Sequence, residues 1–240
     1  ARTRPTAPMT PLNRSISPNR RYATARAELA CFKTVAKAAG GTVNDSLLAV
    51  VTGMLAHYLA AAEPGAALKR APVALVPVSV RDGDGGLGNR ISTVFVDLPI
   101  DEPDLGRRIA AINAQTHAIK ESAAVRAGAL MVGASGAAPP LVSGLLGRAM
   151  GSVRAFNVVV SNMPGPQQPF YLSGVRLADI FPIVPLNPAN QGLSLGIVSY
   201  DGEVCFGLLA DRNLAPGLPV ATAGLEAALA ELSGRDAGGR

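Results

Sequence analysis

A chain of 240 residues and 24.4 kDa can bury a sizeable core unaided. Its two cysteines, Cys31 and Cys205, lie far apart and outside any CxxC or Cys/His spacing, which argues against a disulfide framework or a zinc site; the scarcity of cysteine leans toward the cytosol without fixing the redox compartment. Charged residues are 16% of the chain against ~25% in ordinary soluble domains, and the apolar fraction is 48%. No uninterrupted apolar run reaches the ~18 residues that read as a bilayer span, so the surplus belongs to a large core, a face for another polypeptide, or contact with lipid. The formal charge of +5 favours anionic partners, but the basic residues are scattered and tryptophan is absent, so no nucleic acid is expected as a partner.

The opening stretch ARTRPTAPMTPLNRSISPNRR starts on Ala1, is rich in proline and arginine and has no apolar h-region. Residues 1–18 are therefore expected to be a linker from a missing N-terminal half and not a signal peptide. Arg21 to Leu29 reads as extended, and Cys31 to Ala39 as a helix closed by Gly40-Gly41. In TVNDSLLAVVTGMLAHYLAA the residues Val43, Leu47, Val50, Val51, Met54, Leu55, Tyr58 and Leu59 recur at steps of three and four. This predicts a helix buried nearly all round, opened by Thr42 and Asp45 as a capping box with Asp in place of Glu. Pro72 to Val80 and Arg90 to Ile100 are predicted strands joined by RDGDGGLGN.

A helix from about Pro103 to Glu121 carries Leu105, Ile109, Ile112 and Ile119 on one stripe. Val125 to Met150 reads as two helices broken at Pro139-Pro140. Strands are expected over Asn157 to Val160, Tyr171 to Leu177 and Ile180 to Val184. A hairpin then turns through Asp201-Gly202 between LSLGIVSY and EVCFGLLA. Leu218 to Leu232 reads as a last amphipathic helix. The fold class implied is α+β, a mixed β-sheet packed with helices, with residues 19–234 as the folded domain and 235–240 as a loose tail.

Few residues offer chemistry. The RDGDGGLGN loop joins strand to strand and lacks the helix N-terminus that a phosphate cradle needs; Thr93 also stands where a calcium loop would place its closing Glu. GASGA, Gly133 to Ala137, lacks the final glycine of a nucleophile elbow. His57, inside the apolar helix, and His117 have no carboxylate or nucleophile at a useful spacing, so the chain is read as lacking its own general base. Four side chains remain. Asn44 and Asp45 sit in the first turn of the apolar helix, where Asp45 serves as a cap and an amide at Asn44 needs a partner or a ligand. Ser161 and Asn162 end a strand and are held by Met163-Pro164-Gly165-Pro166, either as a plain turn or as polar groups aimed at developing charge.

Taken together, PLNRSISPNRR (Pro11 to Arg21), TVNDSLLAVVTGMLAHYL (Thr42 to Leu59), GNRISTVFVDLP (Gly88 to Pro99), VVVSNMPGP (Val158 to Pro166) and LSLGIVSYDGEVCFGLLADRNL (Leu193 to Leu214) resemble the C-terminal half of the bacterial wax ester synthase/acyl-CoA:diacylglycerol acyltransferase family. The resemblance runs from about Pro11 to Leu232. NDSLLA stands where the family commonly has NDVVLA, and Met163 where valine is usual. It implies the C-terminal half of a chloramphenicol acetyltransferase-like, CoA-dependent acyltransferase fold, with the active site in a tunnel between halves. The family's catalytic histidine lies in an HHxxxDG motif, which is absent from this sequence, so the N-terminal half of the same enzyme is the implied partner and the chain alone is expected to be inactive.

By the same resemblance, acyl-CoA is a co-substrate, the acceptor is diacylglycerol or a fatty alcohol, and neither metal nor cofactor is required. Asn44, Asp45, Ser161 and Asn162 are the implied supporting residues; Arg20, Arg21, Pro164 and Gly165 are the implied substrate contacts, the arginines toward CoA phosphates, although a solvated strand start accounts for the two arginines more simply. A cytoplasmic location is expected, with peripheral contact to a membrane or lipid droplet left open; Leu141 to Met150 reads as a helix packed against the missing half in preference to an interfacial helix. Two other readings stay open: a non-catalytic partner module of acyltransferase-like shape, and a peptide-synthetase condensation-type domain.

Overall fold

The computed structural model describes residues 6–65, 68–79, 91–121, 155–188 and 191–234. The RDGDGGLGN loop, GASGA, the Val125 to Met150 helices and the tail 235–240 lie outside the described residues.

Among the described residues one mixed six-stranded sheet carries the fold, and α+β is the observed class. Its order is β1 (Arg20–Glu28), β8 (Glu203–Asp211), β7 (Leu193–Tyr200), β4 (Val158–Pro164), β2 (Val73–Ser79) and β3 (Ile91–Asp97). The β7–β4 and β4–β2 pairs are parallel and the other pairs antiparallel. Helices α1 (Leu29–Ala38), α2 (Val43–Ala62), α3 (Leu105–Glu121) and α4 (Leu218–Leu232) share one core with the sheet. The predicted hairpin forms as expected: Asp201 and Gly202 have φ of 47° and 86°, the paired left-handed geometry that matches strand twist.

Helix α2 is the centre of the core. Leu47, Val50, Val51, Met54, Leu55 and Tyr58 are each at most 3% exposed, and burying such side chains contributes ~1.5–3 kcal/mol apiece. Burial also pushes the Tyr58 phenol up to about 12, so the hydroxyl stays protonated and donates to the Ala215 carbonyl at 2.6 Å. By length and composition α2 could cross a membrane, yet its apolar side chains are spent on this core. It is not buried all round. His57 and Ala60 are exposed and Gly53 and Ala56 partly so, an open stripe at helical spacing; the expectation that His57 is interior is corrected.

The opposite face of the sheet is covered differently from expectation. Ile180 to Val184 is not a strand. It is an extended strap laid across β1, β8 and β7, its backbone tied by Tyr22 Oη donating to Pro182 O at 3.1 Å and Ser194 Oγ donating to Val184 O at 2.5 Å. Tyr171 to Leu177 is likewise no single strand but a small separate hairpin, β5 (Tyr171–Leu172) and β6 (Val175–Arg176), turned through Ser173 and Gly174.

Within the expected linker, residues 7–13 are packed. Ala7 and Leu12 are fully buried, and Asn157 Nδ2 reaches Pro8 O at 2.8 Å and Asn13 Oδ1 at 2.6 Å while its Oδ1 accepts from Val73 N at 2.8 Å. A second tie follows at residues 17–20. Asp211, 4% exposed, accepts from Ser17 N at 2.7 Å, Ser17 Oγ at 2.8 Å and Asn213 N at 2.8 Å, with Arg20 Nη1 at 3.3 Å.

Burial pushes the Asp211 carboxyl up, but those hydrogen bonds and the Arg20 charge outweigh it and hold the group below its ordinary range. A carboxyl depressed in the folded state stabilises above its unfolded pKa, and that contribution is lost as pH falls through the folded value. Asp211→Asn is therefore expected to cost about 2 kcal/mol near pH 7 by urea unfolding. The gap to the parent should close as the pH drops below ~4.

Candidate active-site wall

The first turn of α2 is built by short-range chemistry. Thr42 takes the N-cap in extended geometry, its Oγ1 accepts from Asp45 N, and Asp45 Oδ2 accepts from Thr42 N at 2.8 Å, so the capping box read from the sequence is present. Asp45 is 1% exposed and its Oδ1 accepts from Thr116 Oγ1 of α3 at 2.9 Å. Its carboxylate is thus fully engaged in structure. Asn44, one residue earlier, is half-buried and projects elsewhere.

Strand β4 brings Asn162 to it: Asn162 Nδ2 donates to Asn44 Oδ1 at 3.3 Å, across 118 residues of sequence. Among the described residues neither side chain has a second hydrogen-bond partner. The pair leaves the Asn44 amide N–H groups and the Asn162 carbonyl oxygen available to a third party. Val43 and Asn44 also carry first-turn backbone N–H groups that have no intrahelical acceptor, at the positive end of the helix dipole.

Ser161 does not share that position. Successive strand residues point to opposite faces. Val158 and Val160 join the helix-side core, Asn162 follows them in alternation, and Ser161 is paired in register with Gly196 on the strap side. The two residues expected to act side by side therefore face opposite sides of the sheet.

The turn that follows is rigid for local reasons. Pro164 ends β4 opposite Ser199, and Gly165 passes so close to β7 that a Cβ there would lie 2.2 Å from Ser199 O. Gly165 N donates to Ser199 Oγ at 3.3 Å, and Asp201 N donates to Pro166 O at 3.1 Å. Pro164 is exposed, and Gly165 is engaged in packing the turn. Arg20 spends its guanidinium on Asp211 and on the Ser17 and Asn19 carbonyls. Arg21 is exposed on β1 and lines a surface hollow with Tyr22, Leu218 and Pro219.

Two buried polar centres were not singled out in the sequence. Thr116 continues the stripe of Ile109 and Ile112 at helical spacing, and a hydroxyl on an otherwise apolar stripe was the available signal. Arg108 is 5% exposed and donates to Glu102 O, Pro103 O and Ala49 O at 2.9–3.2 Å, with Glu231 Oε2 at 3.5 Å. Its room comes from Gly53, where a Cβ would stand 2.9 Å from Nη1. With His57 and Glu231 it lines a cavity of about 370 Å³ between α2 and α4. That cavity lies far along α2 from Asn44.

The mixed sheet and its packed helices are shared with solved condensation-type domains. The starter condensation domain of rhizomide synthetase, solved with C8-CoA and Leu-SNAC, matches 97% of this chain and 48% of its own at a TM-score of 0.54 and 15% identity, which shows the fold alone. The fold is that of CoA-dependent acyltransferases and condensation domains.

The chain belongs to the wax ester synthase/diacylglycerol acyltransferase family: the WS/DGAT C-terminal domain model matches residues 87–233, and the family's catalytic domain model matches residues 1–47. It is similar to the wax ester synthase/diacylglycerol acyltransferase from Marinobacter aquaeolei VT8, with a TM-score of 0.71 and 30% identity over 95% of this chain and 52% of that one. It is 35% identical over 231 residues to "Probable diacyglycerol O-acyltransferase tgs2" of Mycobacterium tuberculosis, covering 94% of this chain and 50% of that protein. Against "O-acyltransferase WSD" of Acinetobacter baylyi it is 31% identical over 218 residues, 88% of this chain and 45% of that protein. The chain spans about half the length of these relatives. The family resemblance read from the sequence is borne out, and the condensation-domain and partner-module readings are not favoured.

Proposed function

We propose that this chain forms the C-terminal wall of the active site of an O-acyltransferase, which moves a long-chain acyl group from acyl-CoA to the hydroxyl of diacylglycerol or a fatty alcohol. The observation that carries the reading is the Asn44–Asn162 pair, two amides joined at 3.3 Å with donor and acceptor groups to spare. In the reaction a histidine of the N-terminal half takes the acceptor's proton. The alkoxide oxygen attacks the thioester carbon, the tetrahedral intermediate collapses, and CoA leaves as the thiol after taking up the proton.

The contribution of this chain is electrostatic. The Asn44 amide and the first-turn N–H groups of α2 face charge that grows on the thioester oxygen, where fixed dipoles act most strongly. Asn162 holds the Asn44 amide in one orientation. Ser161, on the other face of β4, is left out of this step. No metal or cofactor takes part in the proposal.

The test is a CoA-release assay on the full-length protein with a long-chain acyl-CoA and either acceptor. Transfer is expected, and Asn44→Ala is expected to lower kcat by ~10²-fold, with Asn162→Ala reduced in the same direction. Absence of transfer to both acceptors would contradict the function. Near-parental turnover in both variants would remove these residues from the mechanism.

A further inference from the structure

Helix α3 holds the α2 N-terminus from outside. Asn113 Nδ2 donates to Gly40 O at 3.1 Å, Ile109 fills the space that a Cβ on Gly41 would occupy, and Thr116 Oγ1 donates to Asp45 Oδ1 at 2.9 Å. At its other contact α3 is locked to the sheet: Gln115 Nε2 donates to Asp97 O at 2.9 Å and Gln115 Oε1 accepts from Asp97 N at 2.9 Å, beside the end of β3. The contacts bracket Asn44 at residues 40, 41 and 45. They make α3 a strut between the sheet edge and the turn that presents Asn44.

The capping box alone does not require this. Thr42 N needs only Asp45 Oδ2, so the second carboxylate oxygen is free of capping duty and is given to a residue 71 positions away. Both partners are buried, Asp45 at 1% and Thr116 at 7% exposure, and a buried carboxylate oxygen without a donor is costly. The Thr116 hydroxyl has a single proton and a second acceptor in reach, Asn113 O at 3.1 Å. The carboxylate is nearer and charged, which makes it the stronger acceptor.

Resting on the acyltransferase reading above, we propose that Thr116 is a positioning residue for that reaction: through Asp45 it fixes the first turn of α2 so that the Asn44 amide meets Asn162. Thr116 touches no substrate itself. Its hydroxyl sets where Asn44 stands, and small displacements of an oriented group are expensive in rate.

Thr116→Val removes the O–H and keeps the shape, while Thr116→Ser keeps the donor. In the full-length protein Thr116→Val is expected to lower kcat by ~10-fold with KM changed less than about twofold, and Thr116→Ser to recover most of the loss. In an Asn44→Ala background Thr116→Val should lower kcat no further, because its effect passes through Asn44. Unchanged kcat in Thr116→Val, or losses that add in the double variant, would overturn the proposal. A second readout does not depend on turnover. With asparagine selectively labelled with ¹⁵N, the Asn44 and Asn162 side-chain amide resonances should move in Thr116→Val and in the less crowded Thr116→Ala, and return in Thr116→Ser. Resonances that stay in place in the first two would overturn the positioning role even if the parent shows no acyl transfer, a result that by itself speaks only against the proposed function.

Discussion

Gly207→Val is expected to lower the unfolding free energy by about 3 kcal/mol, the largest single-residue loss foreseen for this fold. Local propensity points the other way. Gly207 sits in the middle of β8 between Thr24 of β1 and Gly196 of β7, and a β-branched residue at a central strand position is ordinarily favoured by up to ~1 kcal/mol. The contact decides the sign. A Cβ on Gly207 would stand 1.9 Å from Pro182 O and 2.7 Å from Tyr22 Oη, so the strap would have to lift and give up the Tyr22–Pro182 hydrogen bond.

Gly196, directly opposite, is the other half of the same trough: a Cβ there would meet Pro182 Cγ at 2.9 Å and Val184 Cγ2 at 3.1 Å. Gly196→Ala should be milder, about 1–2 kcal/mol, because the obstacle is a side chain and not a carbonyl. Urea unfolding of the two variants measures both. A Gly207→Val protein as stable as the parent would mean that the strap does not lie in the glycine trough.

That trough also shows where sequence reading stops. Ile180 to Val184 has the apolar content of a strand, yet it lies across the face of β1, β8 and β7 and not along an edge. The glycines that receive it become neighbours only through the β7–β8 register. The Thr10, Asn13 and Asn157 network is equally hidden, since Asn157 reads as one polar residue in a strand and its partners lie almost 150 positions away. Arg108 reads as an ordinary helical arginine until the missing side chain at Gly53 gives it a place inside.

Short-range physics, by contrast, was legible. The Thr42–Asp45 cap, the Asp201-Gly202 hairpin and the apolar stripe of α2 are decided within a few residues, and all three are present. The candidate site fell between these limits. The sequence marks Asn44 as an amide in need of a partner or a ligand, and the structure supplies Asn162 as that partner. Their meeting depends on the parallel register that puts β4 beside β7 and under the start of α2, which no local pattern encodes. The strand expected over Asn157 to Val160 runs on to Pro164, and with that extension alternation turns Ser161 away from Asn162.

The second large effect concerns activity and is all-or-none. A wall of amides and helix N–H groups can stabilise an oxyanion but cannot take a proton from an alcohol near neutral pH, because an amide is not a base in that range. Among the described residues the two histidines are His57, far along α2 from Asn44, and His117, exposed on α3. Neither lies in the Asn44–Asn162 pair. If the general base belongs to the N-terminal half, the chain by itself lacks a component that contributes ~10²–10⁴-fold and, with it, most of the surface that would orient the two substrates.

The most direct measurement is CoA release from a long-chain acyl-CoA, with diacylglycerol or a fatty alcohol as acceptor, by three samples: the 240-residue chain alone, the full-length protein, and the chain mixed with a separately produced N-terminal half. The expected result is no acceptor-dependent release from the chain alone, clear release from the full-length protein, and partial recovery in the mixture. Acceptor-dependent turnover by the isolated chain would contradict the claim that it supplies a wall and not the base.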